Sequence, residues 1–248
     1  MRNLKVTLAY DATDFAGWQV QPERATIQGE LAAAIERVCG ERVLPQGSGR
    51  TDAGVHALAQ VASLSLQAPI PTARLRFALN NMLPEAIRVL EVEEVALDFH
   101  ARKSAVAKTY RYRMSRNEIT SPFVARYTWH YAYPLDEQAM LQAAHVIEGE
   151  HDFTSFAAAD AEKGVEEGSC VRTVHSSRWR RDGDELLYEV RGGGFLHHMV
   201  RNLVGTFVLV GKGTLSQADV AGILAARDRS LAGPTAPARG LSLVSVEY

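Results

Sequence analysis

The stretch GSGRTDAGVHALAQVASLSLQ, residues 47–67, contains the change of pattern on which the fold reading turns. A glycine-rich loop over 47–57 gives way to VASLSLQ (61–67), where Ala62, Leu64 and Leu66 share one side of an extended chain. That period of two is the mark of a half-buried strand. Upstream, Leu4, Val6, Leu8 and Tyr10 alternate in the same way and predict an opening strand over 4–10. Between them Ile27, Leu31, Ile35 and Val38 recur at helical spacing, and Gly40 is placed to stop that helix. A shorter helix over 72–82, ended by Pro84, and a strand through 87–93 complete the first half. Strands mixed with helices of this length point to an α+β unit with the helices on one face.

The second half repeats the outline. Strands are predicted at 107–115, 127–131, 172–180 and 185–191. Asp136 caps a helix running to about 148, with Leu135 and Met140 as its hydrophobic staple and Gly149 as its stop. In 195–210, Leu196, Met199, Val200, Leu203, Val204 and Phe207 form one helical stripe, with Arg201 off it. Ser216 and Asp219 form a capping box for a last helix to about Ala226, and LSLVSVEY closes the chain as a strand. The two halves read as lobes of one α/β type, 1–103 and 104–248.

Composition narrows the function classes. The 248 residues are 46% hydrophobic and 23% charged, as in a globular soluble chain. No apolar run approaches the roughly 20 residues that span a bilayer, and MRNLKVTLAYD does not read as a secretory signal. Two cysteines, Cys39 and Cys170, lack metal or redox spacing, which favours a reducing, cytoplasmic setting. Net charge is only −2, but seven cations against one acid lie between Arg102 and Arg126. Such segregation suits a nucleic-acid face and equally a solvated, charge-patterned edge.

Three local features bear on chemistry. In the loop 47–57, Arg50 and Asp52 sit two apart, so an extended backbone sends both side chains to one side. A carboxylate beside a guanidinium is held ionised, as a nucleophile requires, though Asp and Gly are equally at home in surface turns. In KTYRYR (108–113), Tyr110 and Tyr112 alternate with Arg111 and Arg113. That arrangement suits base stacking with phosphate contact, or an ordinary exposed strand. In GGGFLHHMVRNLVG (192–205), His197 and His198 are adjacent rather than spaced i, i+4, so no metal site is assigned. Arg201 there is either a partner for a carboxylate or a snorkelling surface side chain.

Taken together, these blocks resemble the tRNA pseudouridine synthase A family over nearly the whole chain. The resemblance rests on YDATDFAGWQVQP (10–22), TIQGELAAAI (26–35), GRTDAGVHA (49–57), LNNMLP (79–84) and DFHARKSAVAKTYRY (98–112). GEHDFTSF (149–156), FLHHMVRNLVG (195–205) and ARGLSLVSVEY (238–248) continue it in the same order. It implies a two-lobed α+β fold around a long, mostly antiparallel sheet with helices packed on it and a central cleft. It implies Asp52 as catalytic nucleophile, with Arg50 beside the cleft, Tyr110 stacked on the target base and Arg201 paired with the catalytic carboxylate. It further implies a homodimer acting on tRNA uridines 38, 39 and 40 in the anticodon stem-loop. No small-molecule cofactor, metal or membrane partner is implied. Ala12, Ala86 and Lys103 depart from the family pattern, where Gly, an acid and an apolar or aromatic residue are usual. Two other readings stay open on the residues alone: a non-catalytic RNA-binding protein on the same scaffold, and a metal-free hydrolase with an Asp nucleophile.

Overall fold

In the computed structural model of the protein, residues 1–158 and 170–248 are described. Their contacts group them into two units, Met1–Val106 with Ser242–Tyr248, and Ala107–Leu241. The first unit thus runs past residue 103 to Val106 and also takes in the C-terminal strand, which pairs there with His56 and Ala57.

In the first unit β1 (Arg2–Tyr10) lies between β3 (His56–Leu66) and β4 (Ile87–Val95), antiparallel to both. The other edge of β3 carries two partners. β2 (Gln46–Gly47) pairs antiparallel with Ser63 and Ala62, and β10 (Leu241–Glu247) pairs parallel with His56 and Ala57. The alternating residues found in the sequence are the core: Leu4, Val6, Leu8 and Tyr10 are buried, as are Ala62, Leu64 and Leu66. Helix α1 (Ile27–Cys39) buries Ile27, Leu31 and Ile35; Thr26 caps its start and Gly40, at φ 71°, ends it. Helix α2 (Thr72–Met82) buries Leu75 and Leu79. Its Asn80 bonds both the N–H and the C=O of Val89, each at 2.8 Å, and so joins the helix to β4.

The second unit orders β5 (Ala107–Ser115), β9 (Glu185–Gly192), β8 (Val171–Asp182) and β7 (Gly149–Asp152) as antiparallel neighbours. The two-residue β6 (Trp129–His130) runs parallel to β5. Helices α3 (Glu137–His145), α4 (Met199–Gly211) and α5 (Gln217–Ala226) complete it. Trp179, Tyr188 and Phe207 form a buried aromatic cluster with centroids 5.0–6.4 Å apart. Within that cluster the Tyr188 hydroxyl meets Ser177 Oγ at 2.8 Å. The α+β class expected from the sequence is the class observed: the described residues form ten mostly antiparallel strands and five α-helices.

Several element ends differ from the sequence reading. Strand β3 begins at His56, inside the segment read as loop. Helix α4 begins at Met199 instead of 195, because His198 takes a left-handed conformation (φ 61°) that helical residues do not adopt. Helix α3 ends at His145, three residues early, and β7 and β2 went unpredicted. The Ser216–Asp219 capping box is present as read.

Candidate active site

Asp52 lies on the connection between β2 and β3. The ladder between those strands is extended by one more bond, Ser48 N–H to the Val61 carbonyl at 2.7 Å. Beyond it the chain leaves the sheet edge and returns at His56. Burial alternates along this excursion: Arg50 is exposed, Thr51 is buried and Asp52 is half-buried. The loop therefore turns Thr51 inward and offers its two charged neighbours outward.

What holds the loop is buried and polar. Tyr10 Oη and Thr51 Oγ1 are 2.9 Å apart, and the Thr51 carbonyl accepts from Trp18 N–H at 3.0 Å. Gln60, fully buried, donates from Nε2 to the Gly49 carbonyl at 3.1 Å and accepts from Ser48 Oγ at 2.6 Å. The Val55 N–H donates to the Asp52 carbonyl at 3.1 Å, closing a turn in which Gly54 has φ 75°. Gly17 passes so near that a Cβ on it would stand 2.7 Å from the Thr51 carbonyl oxygen, and its φ of 90° already favours glycine. Burial pushes the Tyr10 phenol up to about 12, against the opposing effect of its bonds to Thr51 and Gln60, so this hydroxyl is a neutral strut. His56 is 3% exposed, and its Nδ1 lies 3.1 Å from Ala12 N–H and 3.3 Å from Asp11 Oδ1. These two contacts ask for opposite protonation of Nδ1. The shorter, from a backbone N–H that can only donate, makes Nδ1 an acceptor.

Sequence reasoning missed Tyr10, Gln60 and His56 as parts of this site. The signal for Gln60 was present: a polar residue at the head of VASLSLQ, on a strand whose neighbours are apolar.

In the second unit Tyr110 sits on β5 opposite Val190, 8% exposed, with Phe195 edge-on to it at 5.2 Å and 82°. Tyr112, two residues on, is fully buried and donates to the Pro237 carbonyl at 2.8 Å. Burial pushes its phenol well above the usual tyrosine range, against the pull of Arg201 and Arg239. Arg201 is half-buried on the first turn of α4. Its Nε donates to the Ala236 carbonyl at 2.8 Å, and its own carbonyl accepts from Ala236 N–H at 3.1 Å. Neighbouring Asn202, fully buried, donates to the Phe156 carbonyl at 2.8 Å and accepts from Thr235 Oγ1 at 2.6 Å. The segment 233–236 is thus bonded along α4 and steadies the guanidinium.

The basic segment is less open to an RNA backbone than its composition suggests. Arg111 meets Glu189 with Nε and Nη2 at 2.9 and 2.7 Å, and Arg113 meets Glu185 at 2.8 and 2.6 Å. Arg116 is bonded to the Tyr131 carbonyl and lies 3.5 Å from Glu137. On β8, Arg180 pairs with Asp182 and Arg181 with Glu137. Arg102, Lys103 and Arg178 are exposed.

Comparison with known proteins adds a second line. A family model described as tRNA pseudouridine synthase matches residues 10–102 and 143–248. Those spans include Arg50, Asp52 and Arg201 but pass over the strand that carries Tyr110. The chain is 54% identical over 248 residues to the tRNA pseudouridine synthase A of Solibacter usitatus, covering 100% of both. It is 50% identical over 248 residues to that of Brevibacillus brevis, again covering 100% of both. With the Moorella thermoacetica protein it shares 50% over 247 residues, 99% of each.

Proposed function

Because the chain belongs to the tRNA pseudouridine synthase family, an isomerase family, we propose that it converts uridines 38, 39 and 40 of the anticodon stem-loop to pseudouridine with Asp52 as nucleophile. The observation that carries this reading is a carboxylate on an otherwise buttressed loop, in a chain that aligns end to end with named tRNA pseudouridine synthases.

The reaction breaks the N1–C1′ glycosidic bond, turns the uracil and rejoins it through C5. Nothing is oxidised, and the proton that C5 gives up is balanced by one gained at N1, so the chemistry calls for a nucleophile or base and for charge stabilisation. A carboxylate supplies the first, by attack on the sugar or on C6 of the uracil, or by removing the sugar's 2′ proton. Arg50 and Arg201 are proposed to bind substrate and to offset negative charge that develops during the reaction. A uridine paired in a stem must leave it, at a cost of a few kcal/mol. Tyr110 is proposed to recover part of that by stacking, about 1–3 kcal/mol per base. Because three adjacent sites differ in sequence, recognition rests on shape and phosphates rather than base edges. The acting form is proposed to be a homodimer in the cytoplasm; among the described residues no helix is long and apolar enough to cross a membrane.

Mapping pseudouridine in unmodified tRNA transcripts treated with the protein tests the assignment. Modification confined to 38–40 is expected. Pseudouridine formed only elsewhere in the tRNA would overturn it.

A further inference from the structure

We infer that Gln60, acting through Tyr10 and Thr51, is the positioning residue that fixes the Asp52 loop for reaction; this rests on the reading of Asp52 as the nucleophile. The β2–β3 ladder ends where Ser48 N–H meets the Val61 carbonyl, three residues before Thr51 and four before Asp52. From there to the Val55–Asp52 turn, the described backbone bond that ties the loop to the rest of the unit is Trp18 N–H to the Thr51 carbonyl. A side chain takes over the task of the ladder. Gln60 accepts at Oε1 from Ser48 Oγ (2.6 Å) and Val61 N–H (3.1 Å), and donates at Nε2 to the Gly49 carbonyl (3.1 Å) and Tyr10 Oη (3.4 Å).

The orientation of the amide follows from its partners. Val61 N–H can only donate and the Gly49 carbonyl can only accept, so oxygen and nitrogen are assigned by chemistry. With Nε2 donating to Tyr10 Oη, the phenol also shares a hydrogen bond with Thr51 Oγ1, 2.9 Å away. One fully buried amide therefore holds the rising limb of the loop at Ser48 and Gly49. Through a phenol, it also sets the side chain next to Asp52. A buried network in which every member has a partner admits one arrangement, which is what a nucleophile held to a fraction of an ångström requires.

The test compares single-turnover rate and tRNA Kd for wild type, Gln60→Met, Thr51→Val, Thr51→Ser and Asp52→Asn, each scaled to its tRNA-binding fraction. Gln60→Met keeps volume and removes both polar ends. Thr51→Val keeps shape without the hydroxyl, and Thr51→Ser restores it. Misplacing a reacting group by about 1 Å costs on the order of 10²-fold, so Gln60→Met and Thr51→Val are expected to slow the reaction roughly 10- to 100-fold. Their tRNA Kd should stay within about twofold of wild type, and Thr51→Ser should recover most of the rate. Should Gln60→Met fail to fold, the Thr51 pair decides alone, since it leaves packing intact. A wild-type rate in a folded Gln60→Met or in Thr51→Val, or a Thr51→Ser as slow as Thr51→Val, overturns the inference while an inactive Asp52→Asn leaves the nucleophile standing. An active Asp52→Asn overturns the underlying reading instead.

Discussion

Replacing Gly205 with alanine should destabilise the second unit by about 3 kcal/mol, near the upper end of what overpacking costs. Gly205 lies inside α4, and a Cβ there would stand 1.7 Å from the Pro234 carbonyl oxygen, a backbone atom that cannot swing aside. Ordinary contact is near 3.5 Å, so the segment 233–236 must withdraw by about 1.8 Å. Four bonds tie it to α4: Ala236 N–H to the Arg201 carbonyl, Arg201 Nε to the Ala236 carbonyl, Gly233 N–H to Thr206 Oγ1 and Thr235 Oγ1 to Asn202 Oδ1. At about 1 kcal/mol each their loss costs roughly 4 kcal/mol, and the better helix propensity of alanine returns about 1. Thermal unfolding followed by circular dichroism should show a midpoint lower by roughly 6–12 °C, at 2–4 °C per kcal/mol for a chain of this size. Gly222 in α5 is the internal control, because a Cβ there meets nothing within 4 Å. Gly222→Ala should be neutral or slightly stabilising. A Gly205→Ala protein as stable as wild type would refute the described contact between α4 and 233–236.

Two further expectations concern charge. Glu41 accepts from the backbone N–H groups of Gln67 and Ala68, bonds that hold its carboxyl below the usual glutamate range, Gln67 contributing most. A depressed carboxyl adds stability above the ordinary value near 4.3 and loses it as pH falls through the folded-state value. The Tm advantage of wild type over Glu41→Gln should thus be present at about pH 7 and shrink as pH falls below the ordinary glutamate range. Filter binding of tRNA should weaken linearly with log salt, with a slope set by the phosphates neutralised. Arg111→Ala and Arg113→Ala should leave that slope nearly unchanged, because both cations already face glutamates; a clear drop in the slope would refute that.

What was legible in the sequence was what neighbours along the chain decide. Helix α1 could be ended at Gly40, and α5 opened at Ser216 and Asp219, because caps act within a single turn. The strands of alternating apolar residues were legible for the same reason: Leu4, Val6 and Leu8 carry the pattern themselves. Missed were the features that a distant partner imposes. β7, GEHD, has little strand propensity and is a strand because β8 pairs with it. β10 reads as a strand, but its place in the first unit comes from contacts distant in sequence, such as its pairing with His56 and Ala57. The start of α4 shifted because His198 adopts a left-handed turn that no periodicity reports. Of the candidate site, the sequence showed the charged residues of the loop, Arg50 and Asp52, and hid the support beneath them. Gln60 fell between the loop and the strand as read and is a fully buried clamp; Tyr10 read as one of the alternating core residues and carries the hydroxyl that reaches Thr51.

The central claim is that Asp52 is the nucleophile of uridine isomerisation in tRNA. Tritium release from tRNA labelled at C5 of uridine, measured for wild type and Asp52→Asn side by side, tests it most directly, since rejoining through C5 must expel that hydrogen. Release by wild type alone, with tRNA binding intact in Asp52→Asn, is the predicted result. Equal release by both proteins would contradict the account, and so would none from a wild type that binds tRNA.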